Sequence, residues 1–333
     1  MMQNEHTPIL TVRGLSKSYP EPEKNRLFSR KKNHAVQNVS FDLYRGETLG
    51  IVGESGCGKS TIARLVMGLE KPDAGSVLFH DTRIDQLPES SLRPLRPRFQ
   101  MVFQDSGSSL NSRKRVVDIL REPMIYHRIV AKEKVNARID ELLDMVGLSP
   151  SAKTRYPHEF SGGQRQRICI AKALSLNPEL IILDEPVSAL DVSVQAQILN
   201  LLRDLQEKLG VSYIFIGHGL GAVHYISHSI AVMYRGRIVE TGESEELFRH
   251  PVHPYTRALL DAAPLADYDV RDRERIVLPG EIGHTDWTEG CAFRSRCPYA
   301  TAQCERMNCV LTAVSDAPGH LSSCMAGTQE RGV

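Results

Sequence analysis

The apolar residues of this chain follow two rhythms. Ile9 to Val12 alternates in and out, and the run Gly14 to Tyr19 continues it. Val36 to Leu43 alternates again, with Val39, Phe41 and Leu43 on one face and Ser40 and Asp42 on the other. This two-residue period predicts antiparallel strands. Thr48 to Val52 is a short, wholly apolar strand that runs into a glycine-rich turn. After it Ile62, Leu65, Val66 and Leu69 recur at helical spacing. Ser108 to Glu159 predicts mostly helix, with Ala137, Ile139, Leu142, Leu143 and Val146 as its apolar face. Leu180 to Leu183, Tyr213 to Ile216 and Ile230 to Met233 are further buried strands. Strands separated by helical stretches predict an α/β chain with a partly parallel sheet and helices on its faces. A second region begins after about Gly242, and His250 to Pro254 reads as a linker. Lys24, Arg26, Arg30, Lys31 and Lys32 form a basic stretch, read as a solvated loop, with contact to anionic lipid or phosphate as the alternative.

Composition narrows the class. The chain has 333 residues, 41% hydrophobic and 24% charged. That is ordinary globular usage, with length for about two domains. Lys plus Arg number 41 and Asp plus Glu 40, a net charge of +1. A nucleic-acid binder held by phosphate neutralisation is usually more basic, so no nucleic-acid partner is expected. No apolar run approaches the ~18 residues of a membrane-spanning helix, and the start does not read as a secretory signal. A cytoplasmic protein is expected, with any membrane association supplied by a partner.

The strongest single motif is Gly53-Glu54-Ser55-Gly56-Cys57-Gly58-Lys59-Ser60, followed by Thr61. This is the GxxxxGK[ST] phosphate loop, the Walker A pattern, between a strand and a helix. Its glycines let the backbone close on a phosphate, and the helix start adds inward N–H groups and the positive dipole end. Lys59 is expected on the β and γ phosphates and the Ser60 hydroxyl on Mg²⁺. Leu180-Ile181-Ile182-Leu183-Asp184-Glu185 supplies the complement: a buried strand delivering two carboxylates. Asp184 is expected to hold Mg²⁺ through its water shell and Glu185 to act as general base on water.

Phe160-Ser161-Gly162-Gly163-Gln164 opens another helix, with Ser161 at the capping position. It is a second anion-binding helix terminus, about a hundred residues from the first. One nucleotide does not need both from one chain. Two chains arranged head to tail satisfy the pattern, each Ser161 segment capping the nucleotide on the other's phosphate loop.

Across about residues 8–245 these motifs resemble the ATP-binding cassette (ABC) family of transporter ATPases. The resemblance implies an ABC-type P-loop NTPase fold at 1–245: a RecA-like core, an antiparallel β subdomain and a helical subdomain near 106–160. It implies that Tyr19 stacks on adenine and that Gln104 touches Mg²⁺ and faces the membrane partner. Ser161 to Gln164 matches the signature, Ser188-Ala189-Leu190-Asp191 the loop crossing the dimer interface, and His218 the switch histidine at the γ phosphate. Residues 53–61, Tyr19, Gln104, 161–164 and Asp191 form the expected ATP site. Lys59, Gln104, Glu185 and His218 form the catalytic set, and Ser60, Gln104 and Asp184 the Mg²⁺ set. The sequence departs from the family at Gly219, where Asp is usual after the histidine, and at Phe160, where Leu is usual. Glu185→Gln is expected to keep ATP binding while stalling turnover.

The tail, residues 246–333, resembles the C-terminal region of dipeptide and oligopeptide importer ATPases. The resemblance rests on His253-Pro254-Tyr255-Thr256-Arg257-Ala258-Leu259-Leu260, Leu278-Pro279-Gly280-Glu281 and Gly290-Cys291-Ala292-Phe293-Arg294-Ser295-Arg296-Cys297-Pro298. It implies a second ABC ATPase subunit, identical or different, two transmembrane permease subunits and, indirectly, an extracytoplasmic solute-binding protein. It places the chain peripherally on the cytoplasmic face of the inner membrane. Nickel chelate, opine and glutathione stand beside peptide as cargo. A low-turnover regulatory subunit is the alternative that Gly219 raises, and a DNA-repair or translation ABC ATPase is the alternative outside transport. Five of the seven cysteines crowd the tail. In a reducing compartment that suggests ligation more than disulfides. Cys291, Cys297, Cys304 and Cys324 match a recurrent set that in some members binds a [4Fe–4S] cluster. Zinc and plain buried thiols are the other readings, with Cys309 as an extra thiol.

Overall fold

The computed structural model describes residues 7–20, 32–262, 290–314, 317 and 319–324. Lys24, Arg26, Arg30 and Lys31 of the basic stretch lie outside them, as does the 278–281 run. The described residues fall into two compact units. One is drawn from 1–10, 43–48 and 78–216, the other from 11–42, 49–77 and 217–333.

In the first unit the strands Phe99–Val102, Leu180–Asp184 and Ser212–Gly217 run parallel, with Gln100 opposite Ile181 and Ile182 opposite Ile214. Every residue of Leu180–Asp184 is buried. A strand covered on both faces needs no polar alternation, which explains the unbroken apolar run in the sequence. Its C-terminal end therefore carries the first polar side chain, Asp184. The helices Val116–Tyr126 and Val135–Met145 pack on the helix Gly162–Leu174. Ile139, Leu142, Leu143 and Val146 are buried as expected, but Ala137 is exposed and Val135 takes its place. Val135, Ile139, Leu142 and Val146 follow the i, i+4, i+7, i+11 stripe that a helix buries, and Ala137 is off it.

In the second unit the long strands Leu10–Pro20 and Lys32–Leu43 lie side by side, with Ala74–Phe79 beyond the first. The strand Thr48–Val52 runs parallel to Ser229–Tyr234, which pairs antiparallel with Arg237–Glu243. The helix Lys59–Val66 follows the phosphate loop. Ile62, Leu65 and Val66 are buried, whereas Leu69, beyond the helix end, is exposed and leaves the expected stripe.

The expected linker at His250–Pro254 is not one. Val252 and His253 are buried, and a helix, Pro254–Ala262, starts at once. The cause is Glu240, a fully buried carboxylate on the strand Arg237–Glu243. It accepts the N–H groups of Val252 at 2.7 Å and His253 at 3.0 Å, and a ring nitrogen of His320 lies 2.8 Å from it. A buried carboxylate must be paired and hydrogen-bonded, and here three groups do so. The pairing register of the strand shifts between Ile238 and Glu240. The strand Leu321–Ser322 then adds to the same sheet edge, with Ser322 opposite Glu240. The C-terminal segment is thereby built into the unit that carries the phosphate loop.

Candidate active site

The strand Thr48–Val52 delivers the phosphate loop. Gly58, the residue before the helix Lys59–Val66, has φ 109°. A Cβ there would fall 2.1 Å from the Ala35 carbonyl oxygen, so only glycine fits. No side chain caps this helix, so its first N–H groups are presented to whatever anion the loop encloses. The Lys59 side chain is buried, and its Nζ donates to the carbonyls of Gly53 at 2.7 Å and Glu54 at 3.0 Å. The ammonium thus closes the loop as a ring. Burial pushes the Cys57 thiol upward in pKa, which makes it a small apolar filler and no nucleophile. Tyr19 sits at the end of the strand Leu10–Pro20, and its hydroxyl donates to the Glu70 carboxylate. Burial first, and then Glu70, holds that phenol above its ordinary pKa. Lys17 Nζ stands 5.7 Å from the ring centroid.

Two features outside the sequence-based site touch this loop. The Tyr255 hydroxyl accepts the Glu54 N–H at 2.9 Å, and Arg296 binds the Glu54 carboxylate with both terminal nitrogens, at 2.8 and 3.1 Å. Both lie in the C-terminal runs that carry the family resemblance, but no motif there points to the phosphate loop. Arg296 had one weak signal, its place between Cys291 and Cys297.

In the other unit Asp184 is buried at the end of its strand, and Glu185 follows in the left-handed region at φ 48°. A non-glycine residue held there stores local strain, which functional sites commonly do. The Glu185 N–H donates to the Ile216 carbonyl at 2.9 Å, and its carbonyl accepts the Ser188 hydroxyl at 3.1 Å. These bonds hold the turn. The Gln104 amide nitrogen donates to the Glu185 carboxylate at 2.7 Å.

Ser161 caps the helix Gly162–Leu174 in a reciprocal box: its hydroxyl accepts the Gln164 N–H and its own N–H donates to the Gln164 side chain. A Cβ on Gly163 would fall 2.4 Å from Val194 Cγ1, so this glycine is a packing requirement. Val194 belongs to the helix Val192–Leu209, which Asp191 begins. His218 is exposed just past the strand Ser212–Gly217. Gly219 has an ordinary φ of −85°, and nothing lies within 4 Å of a Cβ built there. Its departure from the family Asp is therefore not forced by space.

In the C-terminal segment Cys291, Cys297, Cys304, Cys309 and Cys324 are partly buried and form no disulfide. Burial raises the Cys297 thiol to about 11, and the charges of Cys324, Cys291 and Cys304 add to the rise. Cys291 is drawn down to about 4 by a hydrogen bond from Cys309, against its own burial and with His253 adding to the effect. Cys309 is correspondingly pushed up. Among the described residues no three His, Cys, Asp or Glu side chains close to the ligand distance of one metal ion.

A phosphate loop on one strand end, an acidic pair on another and a second capped helix start define a phosphate-loop nucleotide hydrolase of the cassette class. Comparison with known proteins agrees. Residues 36–188 match the family model described as "ABC transporter", and 239–304 match "Oligopeptide/dipeptide transporter, C-terminal region". The oligopeptide transport ATP-binding protein AppF of Bacillus subtilis is 48% identical, covering 96% of this chain and 98% of its own. The glutathione import ATP-binding protein GsiA of Pectobacterium atrosepticum is 48% identical over 83% of this chain and 44% of its own. Among solved structures, cbiO1 from Clostridium perfringens, part of an ABC transporter complex, aligns with a TM-score of 0.64 at 29% identity, over 73% of this chain and 91% of its own. A dimeric bacterial ABC transporter cassette aligns at 0.63 and 26%, over 71% of this chain and 98% of its own. The chain belongs to the ABC transporter family, in the branch carrying the oligopeptide/dipeptide C-terminal region. It is an ATP-binding subunit with ATPase activity. Among the described residues no helix is long and apolar enough to cross a membrane.

Proposed function

We propose that this chain drives uptake of short peptides through partner permeases, using ATP bound between two cassette subunits. The cassette occupies 1–245, with its helical subdomain near 106–160, and 246–333 is the oligopeptide-importer region. The match over nearly the whole length of oligopeptide transport ATP-binding proteins carries this reading. The subunit works from the cytoplasmic face of the inner membrane, docked on two permease subunits near Gln104, with a solute-binding protein delivering cargo from the far side. Glutathione is itself a short peptide, and the 48% identity to a glutathione importer subunit keeps it within the class.

Phosphoryl transfer to water is mostly positioning and charge stabilisation. Tyr19 takes the adenine. The N–H groups of residues 53–61 and Lys59 take the phosphates. The partner chain's Ser161–Gln164 segment and Asp191 close the site from the other side. Ser60, Asp184 and the Gln104 amide oxygen are hard oxygen donors of the kind Mg²⁺ prefers. Held by them, Mg²⁺ would supply charge neutralisation for the phosphates. Glu185, oriented by Gln104, accepts the proton of the attacking water, and His218 aligns that water against the γ phosphate. Loss of the γ phosphate removes what both halves were holding, so they part.

The test is ATP turnover by the assembled complex in lipid. Saturating solute-binding protein loaded with short peptides is expected to raise turnover several-fold over the unloaded protein, on the order of tenfold if cargo gates closure. Stimulation by a nickel chelate or an opine and not by peptides contradicts the cargo class.

We also propose that Cys291, Cys297, Cys304 and Cys324 hold a [4Fe–4S] cluster, a reading supported by their matching a recurrent cysteine set and by the charges of Cys324, Cys291 and Cys304 acting on the Cys297 thiol. Anaerobically prepared protein is expected to contain about four iron and four acid-labile sulfide per chain. Absence of both with all thiols reduced contradicts it.

A further inference from the structure

We propose that Arg296, with Tyr255, is a positioning residue for the phosphate loop, so that the C-terminal segment sets how tightly the site holds ATP. This rests on the reading that residues 53–61 bind the nucleotide. Glu54, the second loop residue, is held at three points. Its carbonyl accepts Lys59 Nζ at 3.0 Å, its N–H donates to the Tyr255 hydroxyl at 2.9 Å, and its carboxylate takes a bidentate pair from Arg296. Two of the three anchors come from beyond residue 250, although the loop itself is complete by residue 61.

The Arg296 pair has the features of a built contact. The Arg296 side chain is 8% exposed and the Glu54 side chain 27%. A charge so buried needs its partner, and a forked pair fixes angle as well as distance. The 3-10 turn Arg294–Arg296 is set by Phe293, whose ring packs 5.3 Å from Tyr234 and 5.4 Å from Tyr255. One aromatic cluster therefore places both anchors. The turn is flanked by Cys291 and Cys297, and the Cys291 N–H is fixed on the Cys304 carbonyl at 2.7 Å.

Electrostatics gives the pair its purpose. The loop receives a polyphosphate, yet Glu54 places a carboxylate in it. Arg296 neutralises that charge. Without Arg296 the loop keeps its lysine but carries a repelling group on a looser backbone. The loss falls on binding and leaves the water-activating residues alone. Arg296 is thus expected to affect KM and not kcat.

The experiment uses the full chain and a fluorescent ATP analogue with Mg²⁺, together with ATPase kinetics of the assembled complex. Arg296→Gln is expected to weaken binding about tenfold or more, the loss of one charge-assisted contact, with kcat within about twofold. Arg296→Lys, a point charge without the fork, recovers part of the affinity. Glu54→Gln combined with Arg296→Gln binds more tightly than Arg296→Gln alone, because the repelling charge is gone. Melting without nucleotide checks the fold, and if Arg296→Gln is unfolded, Arg296→Lys carries the comparison. Lys59→Ala is the control for the underlying reading. If Lys59→Ala abolishes binding while the Arg296 variants bind like the wild type, the positioning role is overturned. A fall in kcat at unchanged affinity, or additive losses in the double variant, overturns it equally. If Lys59→Ala binds normally, the reading of the loop itself fails.

Discussion

Replacing Glu185 by Gln is expected to lower ATP turnover about 10²–10⁴-fold, the usual worth of a positioned general base. Nucleotide affinity is expected to hold. Gln keeps the length of the side chain, and its amide oxygen still accepts the hydrogen bond that Gln104 donates at 2.7 Å. It tolerates φ 48° as well as Glu does, and the bonds to Ile216 and Ser188 involve only backbone atoms of residue 185. What it loses is the ability to take a proton. The γ phosphate then stays in place, and a state held together by that phosphate accumulates. Turnover at the wild-type rate removes Glu185 from the base role.

Gly58→Ala is expected to weaken nucleotide binding severely with the fold intact. The added methyl meets the Ala35 carbonyl at 2.1 Å and Met233 Cε at 2.8 Å, on a backbone with φ 109°. The carbonyl belongs to the long strand Lys32–Leu43 and cannot swing aside as a side chain would. The loop must shift and its N–H groups lose their aim. Left-handed strain alone costs about 1–3 kcal/mol, and with the clash the expected loss of affinity is about a hundredfold or more. Titration calorimetry with ATP reads this directly, and wild-type affinity contradicts the loop geometry.

The nucleotide chemistry was legible in the sequence because each part is local. A phosphate loop, a buried strand ending in two carboxylates and a Ser-Gly-Gly helix start are written within a few consecutive residues, and the backbone there follows from residue type. The buried strands were legible for the same reason: continuous apolar runs have one physical solution. What stayed hidden depends on residues far apart in the chain. Glu240 looks like any strand glutamate until its carboxylate is seen collecting the N–H groups of Val252 and His253. That capture turned an expected linker into buried structure. Tyr255 and Arg296 lie 201 and 242 residues from Glu54 and carry no pattern that points to it. The apolar stripe around Ala137 was misplaced because alanine is neutral in either environment, and Val135 decided the register.

The account depends on two chains gripping one triphosphate, and a cross-link tests that most directly. Ser55→Cys and Gly162→Cys, introduced together in the Glu185→Gln chain, are expected to join two chains into a covalent dimer with MgATP and not with MgADP or without nucleotide. A yield that ignores the nucleotide, or no cross-link at saturating MgATP with affinity intact, contradicts the shared site.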